Sequence, residues 1–496
     1  MLFNSYIFIF IFIPVVLGGW YTLNHFGKHK LSMAFLLGMS LWFYGFFNPS
    51  YLLIILSSIG INYLISFFLD RTKNKGRFTV YLCGLLFNIC LLLYFKYYDF
   101  FVENINIVFK SDFDLKHILL PLGISFFTFQ QISFITDRYR NETKHCGILE
   151  YAVFVSFFPQ LVAGPIVTYD EMIPQFKDQN KRKFNPESFA KGICLFSVGL
   201  AKKVLIADVL GLIVNKGHSD HLLMDSFSTF VVMLFYALEL YFDFSGYSDM
   251  AIGLGRMFNI ELPQNFNSPY KATGMKSFWN RWHITLSRFL FKYIYIPLGG
   301  NRKGKIRTFI NIFIVFLISG FWHGANMTFV IWGIMQGLGV MFDRLKFVGV
   351  DDDEKRKPKI KVAPVIGRFF TFNYYAVSLV FFRSDNLKVA ARMFKNLMRF
   401  DYSGYFTKLL PSIEIPEIYL IKQGINLLMP NALNVFYAVF LVLFFAMCIF
   451  ILTRKNSLEI IDGGHETKTL YIWAFILFVW SVISFSGVST FIYFNF

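Results

Sequence analysis

The chain is a series of apolar runs, each about as long as a bilayer is thick, separated by short loops in which lysine and arginine collect. A helix that crosses the hydrocarbon core needs roughly 20 apolar residues. Runs of that kind occupy residues 3–23, 31–47, 51–69, 80–95, 118–136, 192–214, 227–258, 308–346 (two short crossings), 365–382, 435–452 and 470–485. In lipid every backbone amide must be paired within the protein, so a chain patterned this way folds as a bundle of helices. Composition agrees. Of 496 residues, 55% are hydrophobic, 65 are phenylalanine and only 16% are charged, more apolar surface than a water-soluble fold of this size can cover. The expected class is an all-α polytopic membrane protein, forming one integral-membrane domain over residues 1–496.

The formal charge of +17 does not point to nucleic acid. The basic residues sit in short loops between apolar runs, which is how a membrane protein marks its cytoplasmic side. Lys28 and Lys30, then Arg71, Lys73, Lys75 and Arg77, alternate with the acidic loop of Asp99, Glu103, Asp112 and Asp114. That alternation places the N-terminus outside. The first run lacks a basic leader and a small-residue cleavage site, so it is expected to be a retained span. The five cysteines show neither metal-type spacing nor a disulfide framework.

Two stretches depart from plain crossings. Residues 118–136 carry Pro121, Gly123, Gln130 and Gln131, kinked and polar for an anchor. Residues 151–168 carry Pro159, Gly164 and Pro165, and are followed by Lys177, Lys181, Arg182, Lys183 and Lys191. A crossing would put those cations outside. A re-entrant loop that enters and leaves on the inner face avoids the conflict, and broken backbone at that depth is tolerated inside protein. Lys202 and Lys203 lie awkwardly within the next span. The total is about 11–13 transmembrane and re-entrant segments, with twelve crossings and both termini outside. Residues 384–431 form an outer segment able to lie flat as amphipathic helices. Residues 351–361 and 453–468 form inner links.

The run 227–258 is too long for a straight crossing and holds Glu239, Asp243, Ser245 and Asp249. Acids at bilayer depth argue for a polar interior, the plain alternative being pairing with a lysine or arginine of another helix. From 259 to 307 the chain turns basic. Trp282, Leu286, Phe289 and Tyr293 recur at helical spacing against Arg281, Arg288 and Lys292, a basic amphipathic helix for the inner interface.

Two histidines carry the candidate chemistry: His283 in Trp279-Asn280-Arg281-Trp282-His283 and His323 in Phe321-Trp322-His323-Gly324-Ala325-Asn326. An imidazole with an ordinary pKa of about 6.5 suits general-base work on an alcohol. His323 falls at the turn between two short spans, towards the outer side or mid-depth, reachable from outside. His283 falls on the inner amphipathic helix. The Lys- and Arg-rich loop between them suits an anionic, phosphorylated acyl donor. The structural alternative is a histidine hydrogen-bonded to a neighbouring helix, with Trp279, Trp282 and Trp322 as interface anchors. Attack on an acyl group would also need an oxyanion donor, for which Asn326 and Trp322 are candidates.

These motifs, with Tyr295-Ile296-Pro297-Leu298-Gly299-Gly300-Asn301-Arg302, resemble the membrane-bound O-acyltransferase (MBOAT) family, and within it the bacterial alginate O-acetylase branch. Phe158-Pro159-Gln160-Leu161-Val162-Ala163-Gly164-Pro165-Ile166, Phe242-Asp243-Phe244-Ser245-Gly246-Tyr247-Ser248-Asp249, Leu262-Pro263-Gln264-Asn265-Phe266 and the opening Leu2-Phe3-Asn4-Ser5 resemble that branch too. The resemblance implies an MBOAT-type helical bundle around a central tunnel, His323 as the catalytic histidine and His283 as the second family histidine. It implies an enzyme of the bacterial cytoplasmic membrane that moves an acetyl group from a cytoplasmic thioester to a hydroxyl of exported polysaccharide or peptidoglycan. The donor is acetyl-CoA or an acyl-carrier thioester, with no bound cofactor and no metal. A secreted or membrane-anchored SGNH-type partner is expected beside the lipid bilayer and the polysaccharide acceptor. Asp243, Asp249, Trp282, Trp322 and Asn326 would line the tunnel. Two alternatives stand: a teichoic-acid-type D-alanyl transferase fed by a carrier-protein thioester, and a transporter of polysaccharide or lipid-linked sugar. The absence of an internal repeat weighs against the transporter.

Overall fold

The computed structural model describes residues 1–144, 146–349, 358–463, 468–485 and 491–492. It divides into two compact units, Met1–Phe196 with Ser248–Gln264, and Ser197–Tyr247 with Asn265–Ile492.

The first unit opens with α1 (Phe8–His25), α2 (His29–Gly45), α3 (Ser50–Arg71) and α4 (Asn74–Phe109). The last runs further than expected: Asp99 and Glu103, read as loop residues, sit on its C-terminal extension. Then come α5 (Ile124–Tyr139), α6 (Ile148–Ser156), α7 (Tyr169–Lys177) and α8 (Pro186–Ala201), whose residues from Ser197 onward belong to the second unit. Helix α5 starts six residues later than its apolar run, behind Gly123. Its polarity has a purpose, since Gln131 meets Ser58 at 2.9 Å and is bonded to Asn62, which Asn88 reaches at 2.6 Å. Neutral carboxamides and hydroxyls tie α3, α4 and α5 together, as polar groups between membrane helices do.

Residues 151–168 form no single rod but a short helix, a turn and one further helical turn. Helix α6 rises only about 14 Å, less than half the hydrocarbon thickness. The chain then turns at Phe157, forms one helical turn (Phe158–Leu161) and returns. The two ends meet: Thr143 Oγ1 donates to Asp170 Oδ2 at 2.7 Å, and Lys177 pairs with Glu150 at 2.8 Å. The turn is buried in rings, with Phe158 edge-on to Phe12 at 5.1 Å and Phe157 edge-on to Phe176 at 5.3 Å. Much of the phenylalanine in this chain is core.

The second unit contains α9 (Asp208–Ser219) and α10 (Ser226–Met257), whose residues from Ser248 onward belong to the first unit. Helix α10 is one unbroken rod whose most apolar window is 78% buried, against 11% for α4. It is therefore an interior element, while α4 presents its side chains to lipid. Short helices α11 (Met275–Trp279) and α12 (Ile284–Leu290) precede the hairpin α13 (Gly304–His323) and α14 (Met327–Leu345). Helices α15 (Pro364–Arg383), α16 (Leu387–Leu397), α17 (Pro416–Leu428), α18 (Leu433–Thr453) and α19 (Lys468–Ile483) complete it. Helix therefore covers the expected spans, and seven of these helices are long and apolar enough to cross by those criteria alone. The segment 384–431 carries helices, as expected. Of the linker 351–361, residues 351–357 lie outside the described residues. Ile360–Lys361 pairs in parallel with Val348–Gly349, a short strand pair that the pattern did not announce.

Hydrogen bonds sort the loops of this unit as the charge pattern did. Segments expected inside meet each other: Lys271 Nζ donates to Arg454 O at 2.6 Å and Asn456 to Asn267 at 3.1 Å. Segments expected outside also meet each other. Asp225 accepts from Ser403 N at 2.8 Å, and Asn396 donates to His221 O at 2.8 Å.

Candidate active site

The site is built on the α13–α14 hairpin. Gly320 faces Gly333 so closely that a Cβ on either would come within 2.9 Å of the other's Cα, so the two helices touch backbone to backbone. Three residues on, His323 ends α13. Gly324 is extended, and Asn326 caps α14 by accepting from Thr328 N at 3.0 Å while donating to Asp385 O at 2.6 Å. Both ends of that carboxamide are therefore engaged in shaping the turn.

The His323 ring stands edge-on to three aromatics, with centroids at 5.0 Å (Trp322), 5.0 Å (Trp332) and 5.2 Å (Phe382). It is 5% exposed. A residue at a turn was expected to be open to the outer side. Instead Phe382 of α15 and Trp332 of α14 cover it, making it an interior group.

His283 is not on the amphipathic helix but one residue before it, as the N-cap of α12, with a left-handed backbone (φ 44). A non-glycine residue held there is uncommon and needs support from its surroundings. Asn265 supplies it. The Asn265 Oδ1 accepts from Thr285 N at 3.3 Å and from Thr285 Oγ1 at 2.9 Å, and it lies 3.1 Å from His283 Nδ1. A backbone N–H can only donate, so this atom is the carboxamide oxygen, and Nδ1 carries the proton. Burial pushes the His283 imidazole down to about 3, so it is neutral with its lone pair on Nε2.

Forty positions separate the two histidines in sequence, and the fold places one ring between them. Trp322 is 5.0 Å from His323 and 6.2 Å from His283. A second line of rings runs parallel. Trp332, against His323, lies 5.9 Å from Trp279 at the end of α11. Both ends of Trp279-Asn280-Arg281-Trp282-His283 thus reach towards His323 through one tryptophan each. The indole N–H groups of Trp279 and Trp332 are buried and have no hydrogen-bond partner among the described residues. Trp282 faces elsewhere, stacked on Phe278 at 5.6 Å and edge-on to Phe266 at 5.0 Å.

Asp243 is 1% exposed, and the plain reading of it holds: Lys203 Nζ lies 2.6 Å from its Oδ1 and 2.9 Å from Asp208. Its Oδ2 accepts from Ile492 N at 2.9 Å. Asp249 falls in the first unit and is buried there. Sequence reasoning assigned no role to Asn265, Lys203 or Trp332. Asn265 lay inside a quoted motif, and Lys203 stood out as a cation within a span. Trp332 had no signal beyond being aromatic in an apolar run.

A family model described as membrane-bound O-acyltransferase matches residues 44–384. The chain is 42% identical over 425 residues to a peptidoglycan O-acetyltransferase from Helicobacter pylori, covering 80% of each. It is 38% identical over 413 residues to a probable alginate O-acetylase from Pseudomonas putida, covering 81% of each. It is 28% identical over 286 residues to a teichoic acid D-alanyltransferase from Streptococcus thermophilus, which spans 54% of this chain and 69% of that relative.

Proposed function

The chain belongs to the membrane-bound O-acyltransferase family and is a multi-pass membrane enzyme, and from that premise we propose that it moves an acetyl group from a cytoplasmic thioester to a hydroxyl of exported peptidoglycan or polysaccharide. The observation that carries this reading is the meeting of two distant histidines around Trp322. We take the two units as one integral-membrane domain over residues 1–496 in a bacterial cytoplasmic membrane.

In this reading His323 takes the proton of the acceptor hydroxyl as its oxygen attacks the thioester carbonyl. The tetrahedral oxyanion collapses, the C–S bond breaks, and the imidazolium returns the proton to the departing thiolate. Transient acetylation of His323 itself balances equally well. Neutral His283, locked by Asn265, orients the thioester and holds Trp322 in place. Trp322, Trp282 and Asn326 shape the route, with Asp243 as its polar group. The oxyanion needs a donor at hand, and the unpartnered indole N–H of Trp332 is the best placed. The donor is acetyl-CoA or a carrier-bound thioester, and a secreted SGNH-type partner completes delivery.

Peptidoglycan is the favoured acceptor, because the relative named for it is more similar than those named for alginate. The D-alanyl transferase reading has weaker support, from a relative of lower identity and shorter match. Replacing His323 with alanine should abolish acetylation of the cell-surface polymer at unchanged protein level. Wild-type acetylation in that strain would end the proposal.

A further inference from the structure

The polar face of α10 continues past Asp243 towards the end expected to face outward, and acyl transfer as described makes no use of it. Tyr236 and Glu239 are three residues apart, hence on one side of the helix, with Asp243 a turn further along. Tyr236 is 2% exposed and Glu239 6%. Neither the Tyr236 hydroxyl nor Glu239 Oε2 has a hydrogen-bond partner among the described residues. The other carboxylate oxygen, Oε1, rests over Gly211 of α9, where a Cβ would come within 2.9 Å of it. Helix α9 is thus bare where the acid lies. Arg383 bounds the third side. It donates to Asn215 Oδ1 of α9 at 3.0 Å, one helical turn beyond Gly211 on the same helix. It also follows Phe382, the residue packed against His323.

A buried carboxyl oxygen and a buried phenol without partners are unfavourable unless a hydrogen-bonding guest meets them. Arg383 at the rim and Lys203 a turn deeper repel a cation. A neutral polyol fits, since one hydroxyl donates to Glu239 Oε2 and another exchanges a hydrogen bond with Tyr236. We propose that Tyr236, Glu239 and Arg383 form the subsite for a hydroxyl-rich carbohydrate acceptor. The proposal rests on the acyl-transfer reading and names where its acceptor sits.

The test measures binding without chemistry. Full-length protein in lipid nanodiscs is unfolded thermally with increasing methyl N-acetyl-β-glucosaminide. Wild type and His323→Ala should show the same saturable rise in Tm, because a ligand bound only to the folded state stabilises it. In Glu239→Gln and in Tyr236→Phe, which removes a single oxygen, the dissociation constant should weaken by about tenfold or more. No rise in wild type, an unchanged constant in both variants, or a rise reproduced by potassium chloride alone would overturn the subsite. Full polymer acetylation by His323→Ala would instead overturn the acyl-transfer reading, while a rise lost in Glu239→Gln would leave the hydroxyl subsite standing.

Discussion

Two clusters of buried polar side chains, one in each unit, differ in kind. The first joins α3, α4 and α5 through Ser58, Asn62, Asn88 and Gln131, all neutral and hydrogen-bonded to one another. The second buries ionisable groups: Lys203 with Asp243 and Asp208, Glu239, and the two histidines. Neutral networks hold membrane helices together at small individual gain, whereas buried charges are unfavourable unless paired and are kept where something needs them. On the proposed reading, the neutral cluster is scaffold and the cluster with the two histidines is where the chemistry takes place.

The largest expected effect lies in the second unit. Lys203→Met strands Asp243 without its cation and should destabilise the protein by about 3–5 kcal/mol, whereas Lys203→Met with Asp243→Asn should recover much of that loss. Thermal unfolding in detergent checks it, and equal losses for single and double variants would contradict the pairing. Trp332→Phe keeps the ring and removes one donor, so polymer acetylation should fall about 100-fold at unchanged Tm. An equal fall in Tm would reassign Trp332 to packing. In the first unit, Asn88→Leu should cost only about 0.6–1.7 kcal/mol and leave the acetylation rate per folded molecule unchanged. A specific loss of rate would break the division between the units.

The smallest effect is a pH response of the outer segment. Burial pushes Asp225 up, but hydrogen bonds from Ser228 and Ser403 prevail and hold its carboxyl below the usual range. A group with a lowered folded pKa contributes its stability above about pH 4 and loses it as pH falls through the folded value. Hydrogen exchange at the Ser403 amide should stay slow from pH 7 to pH 4, once corrected for intrinsic rates, and lose protection below. Protection lost between pH 6 and 7 would exclude Asp225 as the latch.

Much of this architecture was legible because lipid leaves few choices. Run length anticipated the helices, and Pro159 and Gly164 anticipated the break in helix over residues 151–168. The motifs named both histidines. What escaped was pairing across elements. The partner of Asp243 lies 40 positions away, and the Asn265 carboxamide faces His283 only once residues 265 and 283 are folded together. The burial of His323 was missed for the same reason. A turn reads as open in sequence, and only the arrival of Phe382 from α15 closes it. Asp99 and Glu103 misled in the other direction, since acids on the wet side of a continuing helix look like a loop.

The central claim is that the buried imidazole of His323 performs the transfer. Its direct test is acetylation of isolated cell-wall polymer from cells expressing His323→Ala or wild type at matched protein level. The account predicts acetate at background in the variant, and acetate at the wild-type level would contradict it.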